Sequence, residues 1–166
     1  IFPSAAVARC HFRFSMIKTI CLKLISCLES LKAFPLLALR WILAYGFLTP
    51  AMEKLKNFDS VVMWFGTLNL PYPKLQAYLA VSTEVCGVIL LFLGLLTRLI
   101  SIPLIILLSV AIATVHWSHG FSFANNGFEI ALYYILMLFV LLVFGPGGIS
   151  VDAWIKRRWL KSNHSR

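Results

Sequence analysis

Four long apolar runs, separated by short polar segments, limit what this chain can fold into. They cover residues 34–52, 77–96, 99–117 and 128–145. Each is about 18–20 residues long, and a helix of that length, rising ~1.5 Å per residue, just spans a hydrocarbon core ~30 Å thick. Because the runs are continuous and do not alternate with polar residues, a transmembrane β-barrel is excluded. The sequence therefore predicts an all-α integral membrane protein built as a four-helix bundle.

The composition of the whole chain agrees with this prediction. Of its 166 residues, 60% are hydrophobic and only 13% are charged, whereas about a quarter of the residues in a soluble domain are charged. So few polar side chains could not coat a globule in water, and lipid must cover much of the surface. The length suits one domain, in which residues 34–146 form the membrane bundle.

The net charge of +9 is distributed as in membrane proteins. Five Lys or Arg residues precede the first run, Arg98 lies between the second and third, and five follow the fourth. Only three, Lys54, Lys56 and Lys74, separate the first run from the second. Basic residues accumulate on the cytoplasmic side, so both termini are predicted to be cytoplasmic. Nucleic acid is not expected as a partner, because no basic module with interleaved aromatic residues is present.

The sequence also predicts the structure of the segments outside the four runs. Residues 1–15 show no strong periodicity and are expected to be disordered or to precede the native start. Residues 16–33 place apolar side chains at helical spacing among four charges, which is typical of an amphipathic helix in the membrane interface. Residues 58–70 are apolar but too short to span, and are expected to form a short helix that caps the bundle. Residues 147–166 form a basic tail that contains a short helix. Ser150 is expected to cap the start of that helix.

Ionisable side chains inside the runs are the candidates for function, because burying them in lipid is costly. They are Arg40, Glu84, His116 and Glu129, with Glu53 and His119 just outside. Small residues share the helix faces of Glu84 and His116, so both faces are expected to look into the bundle. Because the first and third spans run outward, the His and Glu side chains are expected to collect in the outer half of the membrane.

Two chemistries suit such a cluster. Imidazole and carboxylate groups could hold a transition metal, with His116, His119 and Glu129 as the candidate ligands. This set is disfavoured because a loop begins between the two histidines. A His and a Glu beside a lipid-accessible cleft could instead exchange protons with a quinone headgroup.

The same residues could instead have structural roles, with neither metal nor quinone bound. Glu84 could pair with Arg40, since two long side chains could nearly close the gap between their depths. His116, next to Trp117, could be an interfacial side chain with one hydrogen bond. Glu129, at the start of the fourth span, could act as a helix N-terminal charge.

Several of these residues belong to an ordered pattern that runs through most of the chain. Its members are Arg40, Gly46, Phe47, Lys54, Glu84, Gly87, the stretch LLFLGLLTR at 90–98, Ala111, His116, Gly127, Glu129, the GPG at 145–147 and the SVD at 150–152. In this order the chain resembles the DoxX family of small bacterial membrane proteins over about residues 36–155. The most specific part is E-x-x-G…L-x-x-G-L-x-T-R followed by GPG-x-x-S-x-D.

The resemblance implies a four-helix inner-membrane protein associated with redox work. The leading hypothesis is a redox-associated subunit, for example a subunit of an oxidoreductase. It would have a pocket for a quinone or another small redox molecule in the outer half of the bundle. Its proton-handling residues would be Glu84, His116 and Glu129, and its cofactor-binding residues Arg40, His119 and Tyr133.

The alternative is a non-enzymatic scaffold or accessory partner, including a partner in the maturation of metal-binding peptides or in a stress response. In that protein the buried polar residues would only specify how the helices pack. The resemblance leaves open whether the chain is catalytic. It implies a lipid bilayer around the bundle and a redox or accessory protein as a partner, and it allows a homo-oligomer.

Overall fold

The computed structural model describes residues 22–23, 31, 33–68 and 71–163. Of residues 161–163 it describes only the backbone. Within these ranges the chain forms helices and no strand. The α-helices are α1 (Ala33–Lys56), α2 (Phe58–Thr67), α3 (Pro73–Leu93), α4 (Thr97–Ala111), α5 (Glu129–Phe144) and α6 (Val151–Asn163). A π-helical turn (Ile112–His116) and a 3-10 turn (Trp117–His119) prolong α4, and a second 3-10 turn (Phe123–Asn125) precedes α5. The segment 1–15 and nearly all of the predicted interfacial helix 16–33 lie outside the described residues.

Three helical stretches are long and apolar enough to cross a membrane. They are Ala33–Lys56, Pro73–Leu93 and Thr97–His119, with 24, 21 and 23 residues. The fourth apolar helix, α5, has 16 residues, which corresponds to about 24 Å along its axis. The prediction of an all-helical membrane protein is therefore confirmed.

The core lies where α1, α3, α4 and α5 pack against one another. Leu43 of α1, Leu91 of α3, Leu104 of α4 and Leu138 of α5 are completely buried there. Gly87 lets α3 and α4 approach, because a Cβ at that position would lie 3.0 Å from the methyl carbons of Leu104. Small residues thus set the helix spacing, as is usual where dispersion and not water drives helix association.

The turn between α3 and α4 lies earlier than residues 97–98, which separate the second apolar run from the third. The α3 helix already ends at Leu93, and Gly94 follows in the left-handed region with φ +69°. Leu96 is also left-handed, with φ +48°, and Thr97 is the first residue of α4. A glycine in this conformation ends a helix without steric cost, so the apolar run continues past the point where the helix stops.

The last turn of α5 and the loop from Gly145 to Ser150, which connects α5 to α6, are held by three arginines. Arg40 donates to the carbonyl of Ile149 at 2.7 Å, Arg98 to that of Val143 at 2.9 Å, and Arg157 to that of Gly148 at 3.3 Å. Together with the α3–α4 turn, this loop forms what we call the basic end of the bundle.

Ser150 caps α6, as predicted. Its Oγ accepts a hydrogen bond from the backbone N–H of Ala153 at 3.1 Å and donates one to the carbonyl of Gly147 at 2.9 Å. The N–H of Asp152 also donates to the carbonyl of Gly94 at 3.3 Å. These bonds tie the start of α6 to the α3–α4 turn.

Candidate functional site

A cavity of about 840 Å³ lies at the end of the bundle opposite the basic end. We call this the cavity end. The walls come from α2, α3, α4 and the π-helical turn. Apolar side chains make up most of the lining, among them Trp64, Phe65, Leu75, Leu79, Ile106, Leu107, Val110 and Val115. The polar residues of the lining are Lys54, Tyr72, Gln76, Thr83, Thr114, His116 and Asn126. The volume and the few polar groups are typical of sites for small molecules.

The short helix α2 forms one wall of this cavity. It lies against α3, where the rings of Phe58 and Tyr78 approach with centroids 4.5 Å apart. None of its residues is buried, so α2 covers the cavity without joining the core. Pro71 follows α2 and Pro73 is the first residue of α3, since proline cannot continue a helix from its preceding residues but fits the first turn of a new one. A short helix was predicted for residues 58–70, and α2 accounts for Phe58–Thr67 of that segment.

An ion pair between Lys54 and Glu84 joins α1 to α3 at the cavity. Lys54 Nζ lies 2.5 Å from Glu84 Oε1. The carboxylate belongs to a residue that is only 2% exposed, while the Lys54 side chain is 26% exposed and lines the cavity. Within the described part of the chain, Glu84 Oε2 has no hydrogen-bond partner. The pair therefore places one cation at the cavity wall and its counter-ion behind it.

The alternative in which Glu84 pairs with Arg40 is not the arrangement in the structure, because the Glu84 carboxylate pairs with Lys54. The guanidinium of Arg40 lies against Gly94, where it leaves no room for a Cβ. Glu84 precedes Gly94 by ten residues on α3, which corresponds to about 15 Å along the helix. Arg40 therefore belongs to the basic end, where it is 1% exposed and remote from the cavity.

His116 reaches the cavity from the π-helical turn that follows α4. Its Nδ1 lies 2.8 Å from the backbone carbonyl oxygen of Asn126, which also contributes to the lining. A π-helical turn shifts the side chains that follow it around the helix axis, and such turns occur often at functional sites. His116 is thus anchored on one side of its ring and half-buried at the edge of the cavity.

Glu129, Tyr133 and His119 lie beside this cavity end but outside the lining. Glu129 accepts a hydrogen bond from the N–H of Phe123 and another from the hydroxyl of Tyr133, both at 3.0 Å. His119 Nδ1 lies 2.9 Å from the carbonyl oxygen of Val115. Glu129 thus braces the loop between α4 and α5, and His119 bonds to its own helical turn.

The three residues considered as metal ligands, His116, His119 and Glu129, are not brought together. Across the described ranges, no group of three or more His, Cys, Asp or Glu side chains is placed to hold a metal ion. The transition-metal alternative therefore has no support from the geometry.

Lys54 is the site residue that sequence reasoning missed. The signal was present, because Arg40, Ala44, Phe47 and Ala51 follow one face of the first helix and Lys54 continues that face. Residues 40, 44, 47 and 51 are indeed buried. The predicted first span ended at residue 52, whereas α1 continues to Lys56 and keeps Lys54 turned toward α3.

A membrane-embedded helical bundle with an apolar cavity beside a buried ion pair is the class of protein that these features define. The sequence profile of the DoxX family matches residues 35–117, so the match includes α1, α3, Lys54, Glu84 and His116. The chain belongs to the DoxX family of membrane proteins. The resemblance given by the sequence pattern is thereby confirmed.

Three proteins with similar sequences have names that differ in what they say about function. A Haemophilus influenzae protein called "Uncharacterized protein" is 32% identical over 139 residues, which cover 76% of this chain and 89% of that protein. The Bacillus subtilis protein named "Putative oxidoreductase CatD" is 30% identical over 72% of this chain and 85% of its own length. The Escherichia coli "Inner membrane protein YphA" is 30% identical over 64% of this chain and 79% of its own length. No solved structure matches the chain significantly.

Proposed function

We propose that this protein is a redox-associated membrane subunit that binds a quinone, or a similarly small lipid-soluble redox molecule, in the cavity. The observation that carries the proposal is the combination of an apolar space of about 840 Å³ with Lys54 and His116 in its wall. An aromatic ring with two oxygen atoms needs such a site, since the ring requires apolar contact and the oxygens require a few placed polar groups.

The two polar groups suit that ligand in different ways. Lys54 carries an ammonium group with three donors, and Glu84 occupies one of them. The others can donate to an oxygen of the ligand. His116 can exchange a proton with the ligand, because one ring nitrogen of a neutral imidazole donates a hydrogen bond and the other accepts one. Glu84 acts through Lys54 in this proposal, by holding the cation in an environment where an unpaired charge would be costly.

The other predicted site residues take supporting roles in the proposal. Glu129 and Tyr133 brace the loop that carries Asn126, and Asn126 in turn anchors His116. His119 fastens the turn that follows His116. Arg40 holds the basic end and takes no part in binding the redox molecule.

The proposed topology has four spans and both termini in the cytoplasm of a bacterium, with the protein in its inner membrane. The basic end, with Arg98 and the basic α6 helix, would then face the cytoplasm, in accordance with the positive-inside rule. The cavity would open in the outer half of the bilayer. The name of the Escherichia coli relative, an inner membrane protein, supports the location, and that of the Bacillus subtilis relative supports redox work.

A second function is favoured by a different set of contacts. Arg40, Arg98 and Glu129 all have backbone partners that explain their presence as packing and loop-bracing groups. A non-enzymatic scaffold that presents these ends to a redox or accessory protein needs no ligand in the cavity. The two functions differ in whether the cavity binds anything, and one experiment separates them.

The test compares two tryptophan substitutions on α3. Ala80→Trp fills the cavity that Ala80 lines, while Ser82→Trp adds the same side chain at an exposed position outside the lining. Purified variants in lipid nanodiscs are titrated calorimetrically with a benzoquinone that carries a short alkyl tail. We expect saturable binding by the wild type and Ser82→Trp and its loss in Ala80→Trp. A well-folded wild type that shows no saturable binding would support the scaffold instead.

A further inference from the structure

The hydrogen-bond partner of His116 determines which of its two ring nitrogens carries the hydrogen. Nδ1 of His116 lies 2.8 Å from the backbone carbonyl oxygen of Asn126. A carbonyl oxygen can only accept a hydrogen bond, so Nδ1 must carry the hydrogen. A neutral imidazole has a single N–H, and Nε2 is therefore left with a lone pair and acts as an acceptor.

This acceptor belongs to a residue of the cavity wall. Among the contacts of the described residues, Nδ1 is bonded to Asn126 and none is made by Nε2. The neighbouring side chains of the wall include Val115 and Val110, which cannot donate a hydrogen bond. A ligand that displaces water from this wall without offering a donor leaves a buried acceptor unpaired, which is unfavourable.

Lys54 imposes the opposite requirement at another point of the same wall. Its ammonium group has only donors, and one of them is bonded to Glu84 Oε1. A ligand oxygen near Lys54 must therefore accept a hydrogen bond. The cavity thus requires an acceptor at one position and a donor at the other.

An oxidised quinone meets only one of these requirements, because both of its oxygens are carbonyls and only accept. A hydroxyl group both donates and accepts, so the reduced form meets both requirements. We infer that the cavity selects the reduced, hydroxyl-bearing form of an aromatic quinone, with His116 accepting its O–H hydrogen bond and Lys54 donating to its second oxygen. This inference rests on the proposed function and adds to it which redox state binds.

The experiment measures both redox forms of one molecule on the same protein. The short-tailed benzoquinone and its hydroquinone are titrated anaerobically into nanodisc-embedded protein at pH 8. We expect the hydroquinone to bind at least about tenfold more tightly, equivalent to about 1.4 kcal/mol. The dimethyl ether of the hydroquinone, which has the same ring without a donor, should bind no more tightly than the quinone.

Two histidine variants assign the preference to its residue. His116→Phe removes the acceptor and should bring the affinities for the two forms within about threefold of each other. His119→Phe is the matched control, because His119 makes the same kind of Nδ1 bond but lies outside the lining. It should keep the full preference. The comparison with the dimethyl ether needs no variant and decides the matter even where His116→Phe fails to fold.

The possible outcomes separate the inference from the proposed function. Equal binding of quinone, hydroquinone and ether by the wild type would overturn the inference and leave a quinone site in place. A preference that survives in folded His116→Phe would overturn the assignment to His116. Absence of binding by every form would overturn the proposed function, and the inference with it.

Discussion

At the scale of single residues, the Lys54–Glu84 pair is asymmetric. Glu84 is almost completely buried, whereas the Lys54 side chain is 26% exposed and reaches the cavity. Glu84 therefore depends on Lys54 for the stability of its charge, while Lys54 can extend its amine toward a more polar region. The two partners should not be equivalent to mutation.

Substitution of the two partners tests this asymmetry. Lys54→Met leaves the carboxylate buried and unpaired, and we expect a loss of about 3–5 kcal/mol in the free energy of unfolding. Glu84→Gln should cost clearly less, and the double variant should recover most of the loss caused by Lys54→Met. Thermal and denaturant unfolding in detergent, arranged as a double-mutant cycle, measures the coupling. Equal losses in both single variants would contradict the asymmetry.

At the scale of elements, the loop between α4 and α5 depends on one carboxylate. Glu129 accepts from the N–H of Phe123 and from the hydroxyl of Tyr133. Glu129→Ala should therefore speed amide exchange at Phe123 by about tenfold, since one lost bond of this kind is worth about 1–2 kcal/mol. Glu53→Ala, at an exposed position on α1, is the control and should leave this loop unchanged. Exchange measured by mass spectrometry on peptides across 120–128 gives the result.

The α3–α4 turn gives a second prediction at this scale. Gly94→Ala should lower the free energy of unfolding by more than about 1–2 kcal/mol, because the left-handed conformation disfavours a Cβ and the Arg40 guanidinium occupies its place. Gly66→Ala on α2 meets nothing within 4 Å and should be neutral or stabilising by up to about 1 kcal/mol. Thermal unfolding of both variants is the measurement, and a Gly94→Ala protein as stable as Gly66→Ala would refute this account of the turn.

The sequence predicts that these helices exist, but it does not predict where they end. Long apolar runs predict the helices because lipid requires both length and hydrophobicity, and the polar residues inside them predict where packing is unusual. The helix ends could not be predicted in this way. Gly94 ends α3 inside an apolar stretch, and α1 continues past residue 52, where the predicted span ends, to Lys56. Because both errors shift the depth of nearby charges, the burial of Glu84 was predictable and its partner was not.

At the scale of the whole molecule, the shortest of the four helical stretches that could span the membrane decides the topology. The α5 helix has 16 residues, or about 24 Å, which is less than the ~30 Å of a typical hydrocarbon core. Its own side chains are nonetheless mostly apolar on every face, and it shares the core through Leu138 and Leu141. A short span of this kind can be accommodated by local thinning of the bilayer, at a modest cost. We therefore expect α5 to cross the membrane.

Single-cysteine labelling in intact cells tests this crossing directly. In a cysteine-free background, Asn57→Cys and Asn125→Cys place a thiol in the two connections at the cavity end. Leu96→Cys and Lys156→Cys place a thiol at the basic end. All four positions are exposed. A membrane-impermeant maleimide should label the first pair from outside and the second pair only after the inner membrane is opened. If Asn125 and Lys156 were labelled from the same side, α5 would not span. The cavity would then open at an end of a three-span protein, and the positive-inside assignment of α6 would fail with it.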